Sequence, residues 1–240
     1  MTYIELVAAI QSYTENQFPA TYLADGSTVS STTQINLLIE QAEQRIYNSV
    51  QFPSIRKNQY SAITSNNKYI SLPEDFLAVY SLALVTGVTG ANLDTGTYEY
   101  LLNKDANFIR QAYPSPNDTG VPKYYALFGP TILSSAITNE LSLIVGPTPD
   151  AAYYVELHYY YYPESITTAS SGQTWLGDNF DTVLLYGALV EAYTYMKGEA
   201  DIIGLYDGKY KEALALAKRL GDGMERQDAY RSGQYRQAVT

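Results

Sequence analysis

The sequence predicts an α+β protein in which the N- and C-terminal segments supply a helical bundle and hairpin and the middle of the chain is a β-rich antiparallel region. Three observations predict it. Apolar residues recur at i, i+3, i+4 and i+7 near both ends. Between Phe52 and Pro163 the texture turns β-branched and aromatic, with Gly, Pro and Asn as punctuation. Apolar residues at 46% against 17% charged give a chain of 240 residues ample core and argue against disorder. The implied divisions are 1–50, N-terminal helices; 51–164, the β-rich region; 165–221, a helical hairpin packing with the N-terminal helices; and 222–240, an extended C-terminal tail.

Taken in order, Thr2-Tyr3-Ile4-Glu5 reads as a capping box that opens a helix to about Tyr13, with Ile4, Leu6, Val7 and Ile10 on its packed side. The polar connector Thr14 to Ser30 contains Pro19 and the turn pair Asp25-Gly26. Ser31 or Thr32 caps a longer helix through Val50. Ile35, Leu38, Ile39, Ala42 and Ile46 share one face of it, and Asn36, Glu40, Glu43 and Gln44 the other.

Strands are expected at Gln59–Thr64, Lys68–Leu72, Leu77–Thr86, Tyr98–Leu102, Lys123–Phe128, Thr131–Ser134, Glu140–Val145 and Tyr154–Tyr162, with a short helical turn at Asp105–Arg110. In the last strand the two-residue period places Val155, Leu157, Tyr159 and Tyr161 on one face. After the polar stretch Ser165–Gly172, Asp178 is the expected N-cap of a helix striped by Val183, Tyr186, Gly187, Val190, Tyr193 and Met196 or Lys197. Lys197-Gly198 stops it. Asp201 opens a second helix, on which Ile203, Tyr206, Tyr210, Ala213, Ala217 and Leu220 recur with helical period, making a hairpin. Beyond Gly221 few apolar anchors remain among Arg226, Arg231 and Arg236, so the tail is expected to be ordered only by a partner.

Composition excludes several function classes. A formal charge of −10 opposes general binding to DNA phosphates, although it allows a wall that DNA slides past. The chain has no cysteine, hence no disulfide, thiolate metal site or cysteine nucleophile. His158 is the only histidine and has no ligand partner at metal spacing. No serine lies in Gly-x-Ser-x-Gly, and Gly208-Lys209 lacks the glycine spacing of a phosphate loop. Glu74-Asp75, Asp178 with Asp181, and Glu156 are the acids a glycosidase would draw on, yet turns and helix starts account for them. The expectation is a non-enzymatic protein without cofactor, metal or membrane partner. The 25 tyrosines suit half-buried strands and subunit interfaces, and the tail arginines suit docking to carboxylates more than to phosphate.

The stretch from Thr174 to Tyr193, with Trp175-Leu176-Gly177-Asp178 and Leu185-Tyr186-Gly187-Ala188, resembles the C-terminal helical region of head-to-tail adaptors of tailed bacteriophages. Gly198-Glu199-Ala200-Asp201, Tyr206-Asp207, Tyr210-Lys211-Glu212-Ala213-Leu214 and the earlier Leu72-Pro73-Glu74-Asp75-Phe76 are similar to the same family. The resemblance implies a structural virion protein at the head–tail interface, made in the host cytoplasm. It implies a homo-oligomeric ring of about twelve copies, a dodecamer, seated on the portal protein, holding a tail nozzle or tail tube, with double-stranded DNA passing through without sequence-specific binding. Fibre proteins are a further possible partner in such a setting. Gly187, Tyr186 and Tyr193, together with Arg226, Arg231 and Arg236, are then the expected portal or subunit contacts, Gly187-Ala188 offering a thin helix face. Other readings are a tail-completion or fibre-attachment protein, a carbohydrate-binding β module built on the Tyr153–Tyr162 cluster, and a glycan-cleaving enzyme.

Overall fold

The structure is a computed structural model that describes residues 1–88, 93–129, 132–133, 136–137 and 141–232. It is an α+β protein, with six α-helices among the described residues. In chain order the elements are α1 (Tyr3–Thr14), β1 (Thr21–Tyr22), β2 (Thr28–Val29), α2 (Ser31–Ser49), β3 (Arg56–Ile63), β4 (Tyr69–Ser71), β5 (Ala78–Thr86), β6 (Thr97–Tyr100) and β7 (Leu102–Asn103). There follow α3 (Ala106–Ala112), β8 (Thr119–Gly120), β9 (Tyr124–Phe128), β10 (Ile132–Leu133), β11 (Ala136–Ile137), β12 (Ser142–Gly146), β13 (Thr148–Pro149) and β14 (Tyr153–Tyr160). The chain ends in α4 (Trp175–Asn179), α5 (Asp181–Tyr195) and α6 (Ala200–Ser232). Of the expected strands, Thr131, Ser134 and Glu140 lie outside the described residues. Two compact units result, a helical one from Met1–Ile55 with the chain from Tyr162 onward, and a β unit, Arg56–Tyr161.

In the helical unit α5 packs against α1, α2, α4 and α6. The capping box is formed in full, Thr2 accepting from the Glu5 N–H and Glu5 accepting from the Thr2 N–H, and α1 buries Leu6 and Ile10 while Ile4 stays 78% exposed. On α2 the apolar face Ile35, Leu38, Ile39, Ala42 and Ile46 is buried. Its N-cap is Ser30, whose hydroxyl accepts from the Thr33 N–H at 3.1 Å, one residue before the position expected. Ser30→Ala should therefore cost about 1 kcal/mol in urea unfolding, while Thr32→Ala should leave the midpoint unchanged. Two polar side chains are buried on the same helix. Gln34 donates to the Pro19 carbonyl at 3.0 Å and accepts from the Tyr195 hydroxyl at 2.9 Å, fastening the N-terminal connector to α2 and α5. Glu43, expected on an open face, accepts the Ile166 N–H at 3.0 Å, and its neighbour Glu40 accepts from the Thr167 hydroxyl at 2.9 Å. The Ser/Thr stretch before α4 is thus tied down by two carboxylates one turn apart.

The C-terminal helices depart from expectation in three places. Asp178 is no N-cap: it lies inside α4, which Thr174 caps by accepting from the Gly177 N–H at 3.2 Å. Phe180, at φ −136°, then breaks the path between α4 and α5, and its ring packs on Phe52 and Trp175 at centroid distances of 4.9 and 5.4 Å. Aromatic packing overrides helical continuity here. At the end of α5 the left-handed residue is Lys197 (φ 56°), with Gly198 N–H bonded to Tyr193 O and Lys197 N–H to Thr194 O, the paired bonds of a Schellman cap. Finally, α6 does not stop at Gly221 but runs to Ser232, where an extended tail was expected. Gly221 is a packing glycine: a Cβ there would stand 3.0 Å from Gln51 O and 3.2 Å from Val50 Cγ1. Tyr210, Ala213 and Ala217 are buried on α6 as their spacing predicts, whereas Leu220 is 49% exposed.

The β unit contains two four-stranded sheets, ordered β3-β14-β5-β6 and β4-β12-β9-β7. Leu82, Leu84, Val155, Leu157 and Tyr159 of the first share a buried core with Ile70, Tyr125, Leu143 and Val145 of the second. The other face of the second sheet is covered by α3, capped by Asp105, with Ile109 against Ala126 and Ile144. Period-2 alternation accounts for β14 as expected, Val155, Leu157 and Tyr159 pointing into the core. The register of β14 against β5 shifts between His158 and Tyr159, a local irregularity that alternation does not foretell.

Candidate interaction surfaces

Because β14 turns Val155, Leu157 and Tyr159 inward, Tyr154, Glu156, His158 and Tyr160 face outward. Across the ladder Tyr60 stands opposite Glu156, Asn58 opposite His158, and Ala83 opposite both Glu156 and Tyr100, while Val85 stands opposite Tyr154 and Tyr98. The outer face of this sheet is therefore a tyrosine surface. Its small members Ala83 and Val85 are 1% and 2% exposed although they point away from the core. Large rings beside them explain this: the hydroxyls of Tyr60 on one edge strand and Tyr98 on the other come within 3.4 Å, so both side chains lie across the sheet. Tyr100, at 67% exposed, Tyr154 and Tyr60 leave ring area to solvent.

Polar groups are set into that surface. Asn58 donates its amide to Glu156, and hydrogen bonds to Tyr98 and Glu156 raise the Tyr60 hydroxyl well above the usual phenol range. Burial lowers the His158 pKa, Arg56 lowers it further and Glu156 opposes both, so the imidazole is neutral at pH 7. Its ring stands edge-on to Tyr80 at 5.0 Å, and Arg56 lies over the same tyrosine at 4.7 Å. Sequence reasoning passed over Tyr60, Tyr98 and Tyr100 individually. Their signal was present as the alternation Tyr98-Glu99-Tyr100, but only cross-strand register shows that these rings join those of β14.

A second tyrosine group lies in the helical unit. Tyr206 meets Tyr13, Tyr186 and Tyr193 at centroid distances of 6.4, 6.2 and 5.1 Å, and the Tyr193 hydroxyl donates to the Tyr13 carbonyl at 2.9 Å. Tyr186 and Tyr193 are half-buried there. Burial is the main cause that raises the Tyr206 pKa, with the bond to Tyr193 adding to it. Gly187 is buried, and a Cβ on it would stand 3.2 Å from the Tyr210 ring and 3.4 Å from Ala42 Cβ. The thin helix face exists as expected, but it admits α2 and α6 of the same chain. Arg226 and Arg231 fall on the backbone of α6, their side chains outside the described residues, as is Arg236 entirely.

The carboxylates singled out by sequence have separate local surroundings. Glu74 is exposed. Burial pushes the Asp75 carboxyl up, but Lys57 at 2.8 Å and the Tyr159 hydroxyl at 2.8 Å together hold it below its ordinary value. Asp178 faces the N-terminal amine at 3.9 Å, Asp181 accepts from the Thr182 N–H at the start of α5, and Glu156 is engaged on the tyrosine face. Among the described residues no group of three or more His, Asp or Glu side chains is placed to hold a metal ion, and no helix is long and apolar enough to cross a membrane.

Compared with known protein families, residues 1–238 match the family model described as SU10 adaptor protein. No curated protein matches the chain.

Proposed function

The chain belongs to the SU10 adaptor protein family, a phage structural adaptor family, and on that premise we propose that it forms the ring between portal and tail through which the genome passes. The observation that carries this reading is the extent of the match, which takes in both units and not one motif. The physical character of the chain supports it. A charge of −10 would keep a channel wall from gripping DNA phosphates. Two tyrosine-rich surfaces, one on each unit, offer rigid amphipathic contact area of the kind enriched in protein interfaces. In this reading the protein is not an enzyme and needs no cofactor. Its partners are the portal, a tail nozzle or tube, and further copies of itself, a dodecamer of about twelve subunits, in the virion at the head–tail interface.

Negative-stain electron microscopy of the purified chain mixed with its portal tests this. The expected image is a ring of added density on one end of the portal; portal particles that gain no density overturn it. A second reading has its own observation, the Tyr60, Tyr98, Tyr100 and Tyr154 face flanked by Asn58 and Glu156, which has the stacking and hydrogen-bonding groups of a sugar platform. Glycan-array binding lost on Tyr100→Ala would favour that reading, and an array without signal removes it.

A further inference from the structure

We propose that β3 and β6, the two edges of the tyrosine-faced sheet, pair with each other between neighbouring copies of the chain, so that the sheet continues from subunit to subunit. The inference rests on the ring reading above and deepens it by naming the strands at the subunit junction.

An edge strand carries a row of unpaired backbone N–H and C=O groups, and monomeric proteins blunt such edges with proline, bulges, brevity or a covering element. β3 is neither short nor bulged and holds no proline, and its charges, Arg56 and Lys57, stand only at its first two positions. It runs eight residues, Arg56–Ile63, in unbroken register with β14, and from Arg56 through Ala62 no side chain is buried. Among the described residues no strand pairs with its other side. The opposite edge, β6, pairs only with β5 among the described residues. Two open edges on one sheet are the requirement for head-to-tail addition, in which one copy's first edge meets the next copy's last.

Direction and charge agree with that pairing. Every neighbouring pair in the sheet is antiparallel, and the sheet has four strands, so β3 and β6 run in opposite directions. A second copy displaced along the sheet therefore presents its β3 antiparallel to β6, the more stable ladder. β3 carries Arg56 and Lys57 and no acid, whereas β6 carries Glu99 and no base. Lys57 also holds Asp75 at 2.8 Å, so part of its charge is already shared, but the two edges remain of opposite sign in a chain of charge −10. Tyr100 on β6, 67% exposed, would then have the outer face of the next copy's β3 to pack against at the junction.

The absence of cysteine makes the test clean. Ser61, Val155, Leu84 and Glu99 form one row across the sheet. Ser61 and Glu99 are thus three strand spacings apart in one chain, about 14 Å, beyond the ~7 Å that a disulfide spans. The full chain carrying both Ser61→Cys and Glu99→Cys is assembled with its portal, oxidised, and run on denaturing gels beside electron micrographs of the same sample; Gln59→Cys with Glu99→Cys covers a register displaced by one pleat. The expected result is a ladder of covalent oligomers from the double variant, a single dimer band when the two single variants are mixed, and no oligomer from either alone. Rings that yield only monomer bands from both double variants overturn the strand pairing and leave the ring reading standing. Dimers from Ser61→Cys alone overturn it in favour of β3 meeting β3. A ladder without rings supports the pairing and overturns the closed ring, and neither ladder nor ring overturns both.

Discussion

Replacing Gly187 by leucine is expected to destabilise the helical unit by about 3 kcal/mol or more and to lower its helical content on mild heating. The reason is geometric. A Cβ alone would stand 3.2 Å from Tyr210 Cε2 and 3.4 Å from Ala42 Cβ, and leucine adds an isobutyl group beyond it. Neither neighbour can withdraw. Tyr210 is 3% exposed with Arg45 over its ring at 5.1 Å, and Ala42 is wholly buried on α2. The sequence suggests a different outcome, a folded monomer that fails to assemble, because a Gly-Ala pair on a helix indicates a close approach without saying whose helix makes it. Circular dichroism against temperature decides between the two. A Gly187→Leu chain that melts like wild type but sediments as a monomer where wild type forms rings would restore the subunit-contact reading. Gly187→Ala gives the graded comparison, since Tyr210 and Ala42 need shift only by a few tenths of an ångström to admit one methyl group.

The same distinction separates what was legible in the sequence from what was not. Periodicity is a local signal, and it located the apolar face of α2 and the core face of β14, since each needs only its own residues to be read. The misplacements lie where distant residues decide. Phe180 leaves the helical path toward Phe52, far earlier in the chain. Gly221 has the look of a stop signal, but its missing side chain makes room for Val50 and Gln51, and α6 continues. Lys197 and not Gly198 takes the left-handed cap position, and Gly198 serves close packing instead, since a Cβ there would stand 2.7 Å from the Tyr193 ring. For the interaction surfaces, composition announced the tyrosines, and alternation sorted only those of β14, setting Tyr159 on the face of Val155 and Leu157. That Tyr60 and Tyr98 reach toward each other from opposite edges of one sheet depends on strand order, which no local pattern encodes.

Glu43→Ala is expected to cost roughly 3 kcal/mol, from a buried backbone donor left without an acceptor together with the volume removed. The carboxylate is 3% exposed, and it accepts the Ile166 N–H while Ile166 itself is 1% exposed, so water does not simply replace it. The cost has a characteristic pH dependence in the wild type. Burial raises the Glu43 pKa above its ordinary 4.5; hydrogen bonds from Ser165 and Ile166 offset part of that, and the charge of Glu40 adds to the rise. Between 4.5 and the higher folded value the native state holds more protons than the unfolded chain. Stability from this group is therefore fully present below 4.5 and falls as pH rises through the folded pKa. Glu43→Gln keeps an oxygen acceptor for the Ile166 N–H and cannot ionise, so urea midpoints measured across this interval should decline for wild type and lose that contribution in the Gln variant. A Gln variant with the wild-type slope would show that Glu43 is not the titrating group. A Glu43→Ala chain as stable as wild type would show that the Ser165–Thr168 segment finds its hydrogen bonds elsewhere, and that α2 does not hold it in place.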